Sequence, residues 1–179
     1  MNHLIDRLFP PSEIHERGPV EVYAVLDGAR ERRVYRSVYE SRLDYECLFT
    51  GNLPYDLAES APYLVRLTRT AELTSWILTE CWGNSVGIFA WSRENLNTLR
   101  RHFRHLLQVQ DEQGQKLFFR YYDPRVLRTY IPTCMNIDLK ELFGPIDRLL
   151  VEGLKNEVLS CEPRVKEGAR YLEWERAVC

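Results

Sequence analysis

The sequence predicts an α/β fold, a mixed β-sheet covered by helices, with a small helical C-terminal tail. Three observations predict it. Glu21–Asp27 and Val86–Trp91 are nearly continuous apolar runs of strand length, as expected of strands covered on both faces. Between such runs lie segments whose apolar residues recur every three or four positions, the helical period. Strand-type and helix-type segments therefore alternate, which is the pattern of a sheet packed under helices. The chain has 179 residues, 45% of them apolar and 12% aromatic, enough to build the core of one domain.

The elements follow in order. Residues 1–19 read as a helical lead-in, with Leu4, Ile5, Leu8 and Phe9 on one face before Pro10, Pro11 and Pro19. Glu21–Asp27 is the first strand and ends at Asp27-Gly28-Ala29. Arg30–Ser41 is a charged short helix and Tyr45–Phe49 a short strand. Thr50-Gly51-Asn52 is a turn signal, and Leu53–Ser60 a loop or single helical turn. Tyr63–Leu67 is a strand. Glu72–Cys81 is a helix with Leu73, Trp76 and Ile77 on one face, ended by Gly83-Asn84. Val86–Trp91 is the next strand. Ser92 can cap a helix starting at Arg93, with Asn95 in the capping-box position and Leu96, Leu99, Phe103 and Leu106 as its apolar face. Leu107–Asp111 and Lys116–Tyr122 flank a Gly-containing loop and read as a hairpin. Pro124–Pro132 is a helix, Leu139–Phe143 a helical turn, and Ile146–Val151 a last strand. The α/β domain spans 20–152. Residues 153–179 are a polar tail with a short helix around Tyr171–Arg176.

The best specified join lies within Phe118–Arg128. Asp123 can accept hydrogen bonds from the first free N–H groups of a helix. Pro124 fits the first helical position, where no N–H is needed. Arg120, Tyr121, Tyr122, Arg125 and Arg128 crowd this join and read as a platform for a partner. Trp91, at a strand end, and Arg101 and Arg104, on the basic helix face, extend that set. Rings with a polar tip near element ends can anchor an interface. The same residues can instead build the fold, with Asp123 capping and Arg120 paired internally.

Composition excludes several classes. The net charge of −2 argues against generic nucleic-acid binding, which needs a positive surplus. No segment approaches the roughly 20 apolar residues of a membrane span, and no apolar signal segment opens the chain. The five cysteines are odd in number and form no Cys-x-x-Cys pair, which fits reduced thiols in a cytoplasmic protein. Of the 24 basic residues 20 are arginine, which suits pairing with carboxylates on a protein surface but equally reflects codon bias.

Catalytic candidates are few. Asp27 at a strand end can be a ligand or nucleophile, or can cap its own turn. His102 and His105 share a helix face but lack the intervening Glu of a metalloprotease motif. No phosphate-binding glycine loop or nucleophile elbow occurs. A small hydrolase or phosphate-binding enzyme using Asp27 with Arg120 or Arg125 is the alternative to a binding protein.

Several segments occur in a telling order. They are Tyr23–Ala29, Ala61–Val65, Trp82-Gly83 with Gly87-Ile88-Phe89, Leu99–Arg104, Phe119–Leu127 and Phe143–Ile146. Together they resemble the effector-adaptor family of bacterial type VI secretion systems, over about residues 20–150, with F-R-Y-Y-D-P-R-V-L as the specific part. The resemblance implies a cytoplasmic, non-enzymatic adaptor or chaperone without cofactor or metal. Its partners would be an effector toxin and the valine-glycine-repeat spike protein onto which the toxin is loaded. Many relatives carry a longer C-terminal helical lobe than this chain has.

Overall fold

Why the apolar runs are continuous is plain from the layering in the computed structural model, which describes residues 2–9, 19–110, 113–154, 157–166 and 169–178. The expected stop at Pro10 and Pro11 lies outside the described residues. In chain order the elements are α1 (Asn2–Leu8), β1 (Glu21–Asp27), α2 (Arg33–Glu40), β2 (Tyr45–Cys47), α3 (Tyr55–Glu59) and β3 (Pro62–Leu67). Then come α4 (Glu72–Trp76), continuing as a π-helical turn (Ile77–Cys81), β4 (Gly87–Ser92), α5 (Leu96–Leu106), β5 (Gln108–Gln110) and β6 (Lys116–Phe118). The rest are α6 (Pro124–Tyr130) with a 3-10 turn (Ile131–Thr133), α7 (Asn136–Phe143), β7 (Arg148–Glu152), β8 (Glu157–Lys166) and β9 (Ala169–Val178).

Seven strands form one sheet in the order β2-β3-β1-β4-β7-β8-β9, while β5 and β6 form a separate hairpin. The interior strand β1 alternates between two cores. Tyr23 and Val25 face one core, with Leu99 and Phe103 of α5, Leu127 of α6 and Leu142 of α7. Val22, Ala24 and Leu26 face the other, with Leu4 and Leu8 of α1, Val34 and Val38 of α2 and Leu73 of α4. Helices on both faces leave β1 no solvent side, hence its unbroken apolar run.

The α/β class is therefore what the structure shows, and four expectations are corrected within it. The sheet is antiparallel at every described ladder. The C-terminal tail is a β-hairpin where a helix around Tyr171–Arg176 was expected, with Arg164 opposite Tyr171 and Leu159 opposite Arg176. Only Val158–Cys161 of β8 pair with β7, so beyond Cys161 β8 has β9 as its sole ladder neighbour. On that outer part Arg164 donates to Glu173 across the two strands at 2.8 Å. The helix expected at Arg93 begins at Leu96: Asn95 is its cap and accepts from the Thr98 N–H at 3.0 Å. Ser92 is spent elsewhere, donating to the Pro145 carbonyl at 2.7 Å. The strand expected over Lys116–Tyr122 stops at Phe118, because Asp123 N–H turns back to the Arg120 carbonyl at 3.0 Å.

Leu149 on β7 is fully buried against the α5 and α7 core. Replacing it with Ala leaves a cavity between the sheet and these helices, and urea unfolding should show a loss of about 3 kcal/mol.

Candidate functional site

The strand-to-helix join forms as its residues dictate. The Asp123 side chain accepts the Arg125 N–H at 2.9 Å, and Pro124 occupies the first turn of α6. Arg125 folds back and clamps the same carboxylate, through Nε at 3.0 Å and Nη2 at 2.6 Å. Burial raises the Asp123 carboxyl, but the Arg125 hydrogen bonds and the nearby guanidinium charges outweigh it and hold the group below its ordinary value.

The end of β1 lies against this join. Asp27 is wholly buried, with 0% of its side chain exposed. One carboxylate oxygen accepts the N–H groups of Ala29 at 3.0 Å and Arg30 at 3.3 Å, and the other accepts from Arg120. Gly28 makes the turn possible. A Cβ there would lie 2.3 Å from the Glu59 carbonyl oxygen. Arg120 in turn covers the Tyr122 ring at 5.8 Å. Burial, with the Asp27 charge beside it, pushes the Tyr122 phenol up to about 12. Asp27 and Arg120 do meet, as the enzyme alternative requires. Both carboxylate oxygens are nonetheless engaged and covered, and Arg125 is clamped to Asp123.

The structure redistributes the residues expected to face a partner. Tyr121 and Tyr122 are buried, at 1% and 2% exposure, so they build the fold at the join and do not present their rings at its surface. The Tyr121 ring stacks on Phe103 with centroids 5.6 Å apart and donates its hydroxyl to the Phe103 carbonyl at 3.0 Å. Trp91 is buried too: its indole N–H donates to the Leu8 carbonyl at 2.9 Å, and Arg148 lies over the ring at 4.3 Å. Arg104 donates to the carbonyls of Cys47, Leu48 and Phe49. Arg101 alone of the α5 pair is exposed, with no hydrogen bond or ion pair among the described residues. Arg128 donates to the Glu152 carbonyl. His102 and His105 part company: His102 contacts the Leu142 carbonyl at 3.0 Å and His105 the Glu141 carboxylate at 3.1 Å.

What sequence reasoning missed is an open groove of about 740 Å³ beside α6. Phe119, Val126 and Tyr130 are its apolar lining, and Asp123, Arg125, Thr129 and Thr133 its polar lining. Phe119 and Tyr130 meet edge to face at 4.7 Å. The helical spacing of Val126 and Tyr130 places the two on neighbouring turns of α6, but spacing alone does not show that the face they share stays open. Asp27 takes no part in the groove lining.

Residues 22–141 match the family described as Domain of unknown function (DUF4123). The chain belongs to this family. The match runs from β1 into α7, so it takes in the Asp27 turn, the join at Asp123 and the groove. No curated protein and no solved structure was found to match. Among the described residues, no helix is long and apolar enough to cross a membrane.

Two substitutions test this account. Arg120→Ala leaves Asp27 buried and without its cation. Arg120 is 41% exposed, so water screens part of the loss, and chemical unfolding should show a cost of about 2 kcal/mol. Adding Asp27→Asn should restore part of it, since the amide oxygen can still hold the Ala29 turn. Glu152, buried on β7, accepts the Ser85 N–H at 2.9 Å, and burial raises its carboxyl above the ordinary value. A raised carboxyl binds its proton more tightly folded than unfolded, so its contribution falls as pH climbs from the ordinary carboxylate range through the raised value. Glu152→Gln should remove that slope and raise the melting temperature at neutral pH, as thermal melts across that range can check.

Proposed function

We propose that this chain is a non-catalytic cytoplasmic adaptor that binds a type VI secretion effector and promotes its loading onto the valine-glycine-repeat spike protein. The reading rests on the resemblance carried by Phe119–Leu127 and on membership of the DUF4123 family. The observation that carries it in physical terms is the groove beside α6. It is open and floored by Phe119, Val126 and Tyr130, a shape suited to a protein segment. The acidic residue best placed for chemistry, Asp27, is sealed beneath Arg120 and committed to its own turn.

The mechanism that follows is one of contact. The adaptor would hold the effector through the groove while another face meets the spike, in one complex or in sequence. Tyr121 and Tyr122 would support that surface from within, while Trp91 fixes α1 on the opposite face of the sheet.

Co-expression with the products of neighbouring genes tests the proposal. A stable complex with an effector candidate is expected, and Val126→Asp should abolish its capture while leaving the circular dichroism spectrum unchanged. Failure to form a complex with any candidate effector or spike protein would overturn the reading.

A further inference from the structure

The two ends of the sheet are finished differently. At one end β2 is three residues long, and Arg104 holds the carbonyls of Cys47, Leu48 and Phe49. At the other end lies β9, ten residues without proline, glycine or lysine. Its ladder with β8 runs from Lys166 opposite Ala169 to Glu157 opposite Val178 with no bulge. Short length, proline, lysine and bulges are common means of closing a sheet edge, and β9 uses none of them. In an antiparallel ladder every second residue of an edge strand turns its N–H and C=O away from its neighbour. Among the described residues no helix, loop or side chain hydrogen-bonds to those outer groups of β9; the bonds that reach it from other elements go to the side chains of Glu173 and Glu175.

A ladder of charges leads outward to this edge. Arg148 on β7 pairs with Glu162 on β8, and Arg164 on β8 pairs with the same Glu162 at 2.6 Å. Arg164 then pairs with Glu173 on β9 at 2.8 Å. Glu162 and Glu173 stand directly opposite each other in the register. Glu162 thus lies between two arginines, while Glu173, one strand further out, has Arg164 alone. Glu175 is two residues on, hence on the same face of the strand, and Arg7 of α1 reaches it at 3.5 Å. Both carboxylates stay open, at 58% and 63% exposure. Every arginine of the ladder comes from the inner side. The position of a second cation on Glu173 falls on the strand that would lie beyond β9.

We infer that the outer edge of β9 takes an extended segment of a partner protein as a further strand of the sheet, with Lys or Arg at two alternate positions beside Glu173 and Glu175. Backbone hydrogen bonds hold the segment, and the two carboxylates select it over neutral or acidic strands. A second copy of this chain fits less well. In antiparallel registers centred on Glu173–Glu175 it sets these carboxylates against their own twins, and like charges directly opposite are destabilising. This surface lies outside the family match, which ends at residue 141, and its chemistry does not depend on the adaptor reading.

The test pans displayed random peptides of strand length against the full chain. The enriched peptides are then synthesised and measured against the parent and the Glu173→Lys, Glu175→Lys double variant. They should carry Lys or Arg at positions i and i+2 among β-branched or aromatic residues. They should bind the double variant about tenfold more weakly, and versions with glutamate in place of the basic residues should regain what is lost there. Methylating the peptide's backbone nitrogens one at a time should abolish binding at every second position and spare those between, because only alternate amides face β9. Hydrogen exchange should slow at the outward amides of β9. Peptides without paired basic residues, binding indifferent to the charge reversal, methylation effects without a period of two, or no recovery above background overturns the inference. So does a dimer of the chain with those β9 amides protected, which gives the edge to a second copy. If the double variant melts below the parent, Glu175→Lys alone, which leaves the Arg164–Glu173 pair intact, carries the same comparison.

Discussion

The buried ion pair of Asp27 and Arg120 ties the architecture together. The two residues are 93 positions apart, at the end of β1 and at the entrance to α6. One oxygen of Asp27 holds the Ala29 turn, and the other fixes Arg120 over the Tyr122 ring. That turn in turn carries Gly28 against the carbonyls of Glu59 and Ala61. A single carboxylate thus sets the relative position of three chain segments. Burying it is costly in itself, and an apolar pair of similar volume could be as stable. What the pair adds is a defined register between strand end and helix start, which a purely apolar contact would leave free to slide.

Much of this was legible in the sequence, and the exceptions have physical causes. The β1 boundaries, the capping by Asp123 and the Pro124 start all follow from local chemistry, which depends on neighbours a few residues away. Tyr121 and Trp91 were misplaced because a polar-tipped ring is content inside the protein wherever a carbonyl meets its tip. The carbonyls that do so belong to Phe103 and Leu8, and nothing local points to them. The β8–β9 hairpin was missed because charge pairs across two strands have no short-range signature. The groove was missed for the opposite reason. Val126 and Tyr130 follow the helical period well, but periodicity shows which residues share a face and leaves open whether that face is covered.

The join therefore has two sides with different duties. Inside, Tyr121, Leu127 and the two carboxylates build the core and its polar lining. Outside, Arg125, Val126 and Tyr130 lie along an open groove. The F-R-Y-Y-D-P-R-V-L block is compact because the two sets alternate along the chain, so a change in one disturbs the support of the other.

Arg104 has a wider consequence. Its guanidinium sits on the carbonyls of Cys47, Leu48 and Phe49, at and just past the end of the short edge strand β2. A row of unsatisfied backbone groups on a sheet edge is a template for aberrant assembly, and proteins commonly blunt it with proline, charge or a bulge. Here a side chain from α5 plugs the row directly, so an invading strand must first strip three charge-assisted hydrogen bonds. For a protein whose proposed task is to hold another chain, such a plug guards against co-aggregation at the end of the sheet where only the three residues of β2 cover β3.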